Sequence, residues 1–301
     1  MHPAIAIFLL SIICHAGVAR GKTADSIDSE TVRPAMASPA SLQTCLWTWR
    51  TDGAIELRYI VDLQTEKAGA EESTGTPAKQ PVACAKKAAA RKKLDLAAYN
   101  RLVERFNEQR ARPDLDKNLA RTMQWIEDST KWGASRANSI VASPDGAYVV
   151  FTAHNQPLLL VEIATLATRV LAAAAVGTNL PTPVAWAPDS RQFAYAPPNT
   201  DQVHIYSIAQ QAVASSKTGT GPWVLALAWS PDGRRLAAFG LINRRLNKTP
   251  LGLLGAAAGH PEFRNDGVLN VYGIPNERDF SVILKRGISE MSSPNIAFEW
   301  K

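Results

Sequence analysis

Ser230-Pro231-Asp232-Gly233 separates two apolar runs, residues 224–229 and residues 236–239. An Asp-Gly pair between apolar runs is typical of a tight hairpin, because glycine readily adopts the positive φ that such a turn needs. Pro231, Asp232 and Gly233 are therefore predicted to join two adjacent antiparallel strands. Asp232 needs no catalytic role to explain its place, since aspartate tolerates turn geometry and bonds its own backbone.

The same turn occurs twice upstream, so the chain contains a repeat. The corresponding turn residues are Pro144, Asp145 and Gly146 in the first repeat and Pro188 and Asp189 in the second. The spacing of the three prolines matches that of a four-stranded propeller blade of about 40–45 residues. The repeats therefore predict a propeller architecture.

Each of the first two repeats can be divided into four short strands. The turn proline precedes an apolar residue of the third strand, Val161 or Ile205, by the same seventeen positions. The predicted second, third and fourth strands are 148–152, 158–163 and 168–172 in the first repeat and 192–196, 203–208 and 212–216 in the second. Four short strands at regular spacing are typical of a blade, and neighbouring blades must stack on it to bury both faces.

The last strand of the sequence copies the inner strand of a repeat. Trp186 and Trp229 each lie two positions before the turn proline, and Trp300 has the same place in the run 296–300. Residues 138–301 thus hold three full repeats plus one inner strand. The predicted fold class is mainly β, a partial or small β-propeller of four-stranded blades. Either a longer chain continues the ring, or strands from elsewhere complete the last blade.

The N-terminal segment 43–135 is predicted to be a small α+β unit that precedes the propeller. Residues 45–50 and 55–61 alternate apolar with polar residues around an Asp-Gly turn, which indicates a β-hairpin. This hairpin is the candidate within the chain to donate strands to the unfinished blade. Residues 66–82 lose their apolar content and are predicted to be a loop.

Two amphipathic helices are predicted after this loop. Apolar residues recur at helical spacing in two stripes separated by Pro113. The stripes are Leu94, Ala98, Leu102 and Phe106, with Tyr99 and Val103 beside them, and then Leu115, Leu119, Met123 and Ile126. Two such helices joined by a short turn usually form a helical hairpin or pack on the neighbouring domain.

The three turn sequences also carry a family resemblance. Residues 228–233 with 236–237, residues 185–190 and residues 142–146 share one pattern. This pattern resembles the TolB-like, WD40-like (PD40) β-propeller repeat family, over roughly the second half of the chain. The resemblance implies a propeller fold and no particular activity, because the shared turn is structural. Ser190 departs from the pattern, since the family has glycine there.

The third repeat carries an insertion at 240–266, between its second strand and a third strand at 268–272. Long connections are usually functional or disordered, and a connection that is both apolar and glycine-rich is unusual. We take it as the candidate partner-contact element; the alternative is that it packs on its own blade. The candidate contact residues are Arg244, Arg245, Leu251, Leu253 and Leu254.

Residues 1–19 are predicted to be a signal peptide, because a short apolar run is followed by small residues that suit cleavage after Ala19. No lysine or arginine precedes the apolar run, which departs from the usual pattern. Residues 20–42 are predicted to be a flexible tether. Export implies a periplasmic or secreted protein with no integral membrane segment after cleavage.

Export also decides how the cysteines are interpreted. Cleavage removes Cys14 and leaves Cys45 and Cys84, which most simply form a disulfide in an oxidising compartment. Such a bond would stabilise the fold by about 4 kcal/mol through the loop that it closes. In a cytosolic protein the same two residues would be free thiols.

The sequence contains no Gly-x-Ser-x-Gly, His-Glu-x-x-His or Cys-x-x-Cys motif. We therefore expect no catalytic residue, no metal and no cofactor, and we interpret His204 as solvated or hydrogen-bonded. The basic residues at 86–93 have no interleaved aromatic residues for base stacking, so no nucleic-acid partner is expected.

Three functions are compatible with these features. The first is a non-enzymatic exported scaffold that binds another envelope protein. The second is the propeller portion of a larger, prolyl-oligopeptidase-like hydrolase whose catalytic domain is not in this chain. The third is a small-ligand or sugar-binding propeller, which would repeat aromatic and acidic residues at the loops of every blade. Only the turn aspartates repeat, so the third ranks last.

Overall fold

Strands dominate the part of the chain that the structure describes. The computed structural model describes residues 38–50, 53–73, 83–130, 140–153, 156–173, 182–197, 200–218, 223–245, 263–275, 278–286 and 295–301. In chain order the elements are β1 (Ser41–Arg50), β2 (Gly53–Asp62), β3 (Lys67–Ser73), α1 (Ala83–Gln109), α2 (Lys117–Thr130), β4 (Ile140–Ala142), β5 (Tyr148–Phe151), β6 (Leu158–Glu162), β7 (Thr168–Ala172), β8 (Val184–Trp186), β9 (Gln192–Tyr195), β10 (Gln202–Ser207), β11 (Ala212–Thr218), β12 (Trp223–Trp229), β13 (Arg235–Arg245), β14 (Phe263–Gly273), β15 (Phe280–Arg286) and β16 (Asn295–Trp300).

These strands form four antiparallel sheets of four strands each, and each sheet is one blade. Blade 1 is β4–β7, blade 2 is β8–β11 and blade 3 is β12–β15, each with its strands in sequence order. Blade 4 has the order β16-β1-β2-β3. The predicted fold class, mainly β with four-stranded blades in a partial propeller, is therefore confirmed.

Blade 4 combines an inner strand from the end of the sequence with three strands from the N-terminal region. β1 pairs antiparallel with β16, and Leu42 lies opposite Trp300. The Ser41 backbone N–H donates to the Lys301 carbonyl at 2.9 Å, and the Lys301 N–H donates to the Ser41 carbonyl at 2.9 Å. The hypothesis that the N-terminal hairpin donates strands to the last blade is therefore confirmed.

The loop predicted at 66–82 is wrong in its first half, where β3 forms. β3 pairs antiparallel with β2, starting from Asp62 opposite Lys67. An outer strand is held by backbone hydrogen bonds at the sheet edge and can have two polar faces. The run 67–73 therefore shows no apolar alternation, which is the signal that the sequence analysis used.

Some predicted segments lie outside the described residues. These are the signal peptide at 1–19 and the tether as far as residue 37. β1 begins at Ser41, so the last two residues assigned to the tether belong to a strand.

Apolar side chains from neighbouring blades form the core between them. Blades 1 and 2 share a cluster that includes Val150, Leu158, Trp186, Phe193 and Tyr206. Blades 2 and 3 share Ala194, Val203, Ile205, Trp229, Leu236 and Tyr272. Blades 3 and 4 share Leu42, Leu46, Val61, Phe239, Leu269 and Val271. This stacking buries both faces of blades 2 and 3, as the propeller prediction requires.

The two helices cover the other face of blade 1. Their apolar stripes join blade 1 in one buried cluster that includes Tyr99, Leu102, Leu119, Ile126, Phe151 and Leu159. α1 contacts both β4 and β16, the inner strands of blades 1 and 4. Asp116 caps α2, since its Oδ1 accepts the backbone N–H groups of Asn118 and Leu119 at 2.8 and 2.9 Å.

The predicted helical stripe is wrong at one residue, which is exposed and not buried. Leu94 is 62% exposed, whereas its neighbour Asp95 is only 4% exposed. The turn of α1 that meets β4 uses polar groups, because it approaches the backbone of a strand and not an apolar surface. The rest of that stripe, from Ala98 to Phe106, is buried as predicted.

Leu42 tests whether blade 4 is part of the cooperative core. Its side chain is fully buried between blades 3 and 4. We expect Leu42→Ala to lower the free energy of unfolding by about 2–5 kcal/mol, as for other buried leucines. The measurement is urea unfolding followed by both tryptophan fluorescence and far-UV circular dichroism. The exposed Gln64→Ala is the control, and a separate early transition for blade 4 alone would contradict the expectation.

Candidate interaction surface

A serine hydroxyl and an aspartate carboxylate stabilise the turn in the third repeat. Ser230 Oγ donates to Asp232 Oδ1 at 2.6 Å, and the Arg235 N–H donates to Ser230 Oγ at 2.8 Å. The Gly233 N–H also donates to the Ser230 carbonyl at 2.9 Å. The first repeat has the same bonds among Ser143, Asp145, Gly146 and Tyr148. These residues therefore shape the hairpins, and their polar groups bond one another.

The second repeat replaces the turn glycine with Ser190 and still adopts the same geometry. The φ angles are +71° at Gly146, +61° at Ser190 and +72° at Gly233. Ser190 Oγ accepts the backbone N–H of Asp145 in blade 1 at 3.1 Å. The departure from the family pattern thus supplies a bond between two blades, which offsets part of the cost of positive φ at a non-glycine residue.

Two repeated tryptophans tie the inner strands of neighbouring blades together. Trp186 Nε1 donates to the Val141 carbonyl at 3.2 Å, and Trp229 Nε1 donates to the Ala185 carbonyl at 3.0 Å. Near the outer strands, polar links between blades include Arg169 to Gln211, Lys217 to Asp279 and Arg278 to Glu66. Blades 1, 2 and 3 are therefore linked near their inner strands, and blades 1 to 4 are linked near their outer strands.

Blade 1 has no such tryptophan, and an ion pair on α1 binds the edge of its inner strand instead. Asp95 Oδ1 accepts the Ala142 backbone N–H at 2.9 Å, and the Arg91 guanidinium donates to the Ala142 carbonyl. Arg91 Nε also lies 3.3 Å from Asp95 Oδ1. Burial raises the pKa of Asp95, although Arg91 and the bond from Ala142 act in the opposite direction.

The candidate contact element begins as a two-stranded arm. β13 and β14 are eleven residues each, against four and six for β9 and β10 of blade 2. The two strands stay in one unbroken register out to Arg245 opposite Phe263. Strand pairing therefore continues into both ends of the predicted insertion at 240–266.

We call residues 241–245 and 263–267 the arm. Of the predicted contact residues, Arg244 and Arg245 lie in the arm as part of β13. Leu251, Leu253 and Leu254 belong to 246–262, which lies outside the described residues. The base of the arm is firmly packed, since Phe239 and Leu269 are fully buried between blades 3 and 4.

The backbone register of the arm also places arginine positions on facing strands. Arg244 lies directly opposite Arg264, and Asp266 lies opposite both Ile242 in β13 and Arg286 in β15. These register positions were not predicted because they depend on the pairing of β13, β14 and β15. Asp95 was missed because a charged residue on a helix is usually solvated.

A groove of about 800 Å³ lies between α1 and α2. Its apolar lining includes Val103, Phe106 and Met123, and Tyr99 OH donates to Glu127 Oε1 at 3.0 Å. The polar lining is Asn100, Glu104, Asn107, Arg110, Gln124 and Glu127. This mixture of charges favours no particular class of ligand.

The predicted disulfide residues lie on two elements that approach the same strand. Cys45 is buried in β1 opposite Ala297 of β16, and Cys84 lies in the first turn of α1, which contacts β16. The pairing of Cys45 with Cys84 stays a prediction. His204 is hydrogen-bonded, with Nδ1 2.7 Å from Ser216 Oγ, and burial lowers its pKa.

The residues that the structure describes form no metal-binding cluster and no membrane-spanning helix. Among those residues, no group of three or more His, Cys, Asp or Glu side chains could hold a metal ion. None of the helices described is long and apolar enough to span a membrane.

Comparisons with known proteins give a partial structural similarity. No family model matches the chain, and no curated protein matches it. Among solved structures, it is similar to the β-propeller domain of Cps50 (Swd1) from Myceliophteria thermophila, with 11% identity and a TM-score of 0.29. The match covers 50% of this chain and 57% of that chain. The propeller architecture described above rests on the strand order and register of this chain.

The ion pair that contains the buried Asp95 predicts a pH dependence of stability with a definite sign. Because the folded-state pKa of Asp95 lies above 3.8, the folded state binds more protons than the unfolded state between those two values. The stability advantage of the wild type over Asp95→Asn should therefore shrink as the pH rises through this window. Urea unfolding at several pH values between about 3 and 7 measures it.

Asp62 provides a control of opposite sign. The backbone N–H groups of Thr65 and Gln64 lower the pKa of this exposed carboxyl. The difference in the free energy of unfolding between the wild type and Asp62→Asn should therefore grow in favour of the wild type as the pH rises. Parallel slopes for the two variants would contradict the assignment.

Proposed function

We propose that this chain is a non-enzymatic, exported β-propeller protein that acts as an interaction scaffold for another protein of the cell envelope. The observation that carries the proposal is the arm of blade 3. Residues 241–245 and 263–267 continue the pairing of β13 with β14 well beyond the hairpin lengths of blades 1 and 2. A paired extension of this kind offers a surface for a partner without changing the core.

The packing beneath the arm supports this role. The arm continues two central strands of blade 3, which is packed on both faces by blades 2 and 4. An element held by a rigid base loses little conformational entropy when it binds, so more of the contact energy appears as affinity. The proposal that the protein is not an enzyme rests on the sequence, which contains none of the catalytic motifs considered above.

Export and the family subtype are proposed on separate grounds. The apolar run and small residues within 1–19 support a cleaved leader, and the two later cysteines suit an oxidising compartment. The TolB-like subtype is supported by the Ser-Pro-Asp-Gly turns at 143–146 and 230–233, which form equivalent hydrogen bonds.

The scaffold proposal is tested by shortening the arm. Ile242 and Asp266 lie directly opposite each other, so residues 243–265 can be replaced by a two-residue Asn-Gly hairpin turn. We expect this variant to keep the unfolding midpoint of the wild type. In cells, we expect the wild type to form a cross-linked adduct with its partner and the shortened variant to form none. The measurement is in-cell cross-linking, with the adduct partner identified by mass spectrometry.

The control for this experiment changes an exposed residue away from the arm. Val213→Ala on β11 should leave the adduct yield unchanged, because Val213 is exposed on an outer strand of blade 2. A folded, shortened variant that retains the full yield of adduct would contradict the arm as the contact element. An adduct with a cytosolic partner alone would contradict the envelope role.

The disulfide proposal is tested on protein recovered from the envelope fraction. Non-reducing peptide mapping should show Cys45 linked to Cys84, with a mature N-terminus at residue 20 and no Cys14. Reduction should destabilise the fold by up to about 4 kcal/mol. Two alkylated thiols, or an intact N-terminal Met1, would contradict export.

A further inference from the structure

A cavity of about 120 Å³ lies between blades 1 and 2, close to their outer strands. Its walls include Tyr148, Leu160, Glu162 and Arg169 of blade 1 and Tyr206 and Gln211 of blade 2. A cavity of about 150 Å³ engineered into another protein holds one benzene molecule. The cavity between blades 1 and 2 therefore has room for a ligand of about six non-hydrogen atoms.

Tyr206 is a buried wall residue whose hydroxyl group has no hydrogen-bond partner. Its side chain is 3% exposed and packs in the apolar cluster that blades 1 and 2 share, so it extends from β10 toward blade 1. Among the residues that the structure describes, none forms a hydrogen bond with the Tyr206 hydroxyl. Most buried polar groups are paired, because an unpaired one costs free energy. A molecule bound in the cavity can supply this missing partner.

Two opposite charges share the blade 1 wall of this cavity. Leu160 of β6 lies directly opposite Arg169 of β7, and Glu162 is two positions from Leu160 on β6. Glu162 and Arg169 are therefore diagonal neighbours on the same face of blade 1. Burial raises the pKa of Tyr206, and the charge of Arg169 acts in the opposite direction. The guanidinium group is thus near enough to Tyr206 to act on its hydroxyl.

The two charges are held by different neighbours and not by each other. Arg169 Nη1 donates to the Gln211 carbonyl at 2.8 Å, and Nη2 donates to Gln211 Oε1. The Thr165 hydroxyl donates to Glu162 Oε2 at 2.6 Å. Within the described part of the chain these bonds keep the guanidinium and the carboxylate at separate points of one wall. A ligand that carries both signs of charge can contact both groups.

We propose that the cavity between blades 1 and 2 binds a small zwitterion of the α-amino acid class. The ligand carboxylate accepts hydrogen bonds from Arg169 and from the Tyr206 hydroxyl, and the ligand ammonium group donates to Glu162. Hydrogen bonds between charged groups are the strong ones, and guanidinium geometry suits a carboxylate. The site belongs to blades 1 and 2 and the arm to blade 3, so this inference does not depend on the proposed function.

The size and charge of the cavity disfavour other classes of ligand. A monosaccharide has about twice as many non-hydrogen atoms as the benzene that fills a cavity of this order. A simple anion would lie beside the Glu162 carboxylate, and a simple cation would lie beside the Arg169 guanidinium. Ordered water is the remaining occupant of a small polar cavity. The experiment must therefore separate a zwitterion from water.

The first test titrates the full chain with L-alanine, propionate and ethylamine in a calorimeter. Propionate lacks the ammonium group of alanine, and ethylamine lacks its carboxylate. We expect alanine to bind with a Kd between about 10 μM and about 1 mM, since so small a ligand makes few contacts. Propionate and ethylamine should each bind about tenfold or more weakly than alanine.

The second test compares variants of the cavity wall. Tyr206→Phe removes a hydroxyl that has no partner in the ligand-free fold, so its unfolding midpoint should equal or exceed that of the wild type. Its affinity for alanine should fall about tenfold, because the hydrogen bond is to a charged group. Arg169→Gln should weaken alanine binding about tenfold or more. The matched control is Arg191→Gln, which removes the same charge from an exposed turn of blade 2 and should bind like the wild type.

Four results would overturn the inference. These are no saturable binding of alanine, equal binding of alanine and propionate, equal weakening by Arg169→Gln and Arg191→Gln, or unchanged alanine affinity in Tyr206→Phe. A lowered unfolding midpoint in Tyr206→Phe without alanine binding would assign the cavity to ordered water. The cross-linked adduct that tests the arm is scored separately, so failure of the cavity proposal leaves the scaffold proposal standing.

Discussion

The rest of the structure depends on the antiparallel pairing of β1 with β16. This pairing joins residues such as Gln43 and Lys301, which are 258 positions apart and hydrogen-bonded in blade 4. Without it, the described part of blade 4 would divide into a lone strand and a three-stranded sheet, and the buried Phe239 and Leu269 of blade 3 would lose their cover. Such a long-range contact must offset a large loop-closure entropy, so blade 4 forms only together with the blades that it packs on.

The opposite face of blade 1 is covered by helices, and the physical reason is the edge of β4. An inner strand with free backbone groups would be a site for unwanted pairing. Asp95 and Arg91 bind the N–H and carbonyl of Ala142, so α1 satisfies the strand edge with side chains. The apolar side of the same helix then packs on blade 1 through Tyr99 and Leu102. One helix thus provides both the apolar cover and the polar cap.

The features predicted correctly from the sequence are those with a local signal. The features that were missed depend on the pairing of one strand with another. The turns at Pro188 and Pro231, and the inner strands before them, were predicted because each has its signal within a few residues. β3 was missed because an outer strand needs no apolar alternation, and the end of β13 was missed because Asn243 and the arginines after it are polar. The opposition of Arg244 and Arg264 on facing strands could not be predicted, since it follows only from the register of β13 and β14.

Under the proposed function, the arm places the contact element outside the packed core. Its stability comes from the base, where blades 2 and 4 pack on both faces of blade 3. The pairing of β13 with β14 continues in register from this base out to Arg245 opposite Phe263. Because the base is held on both faces, the arm is oriented before a partner arrives, and binding then costs less conformational entropy. Residues of the arm can therefore serve binding without a change in the packing that stabilises the propeller.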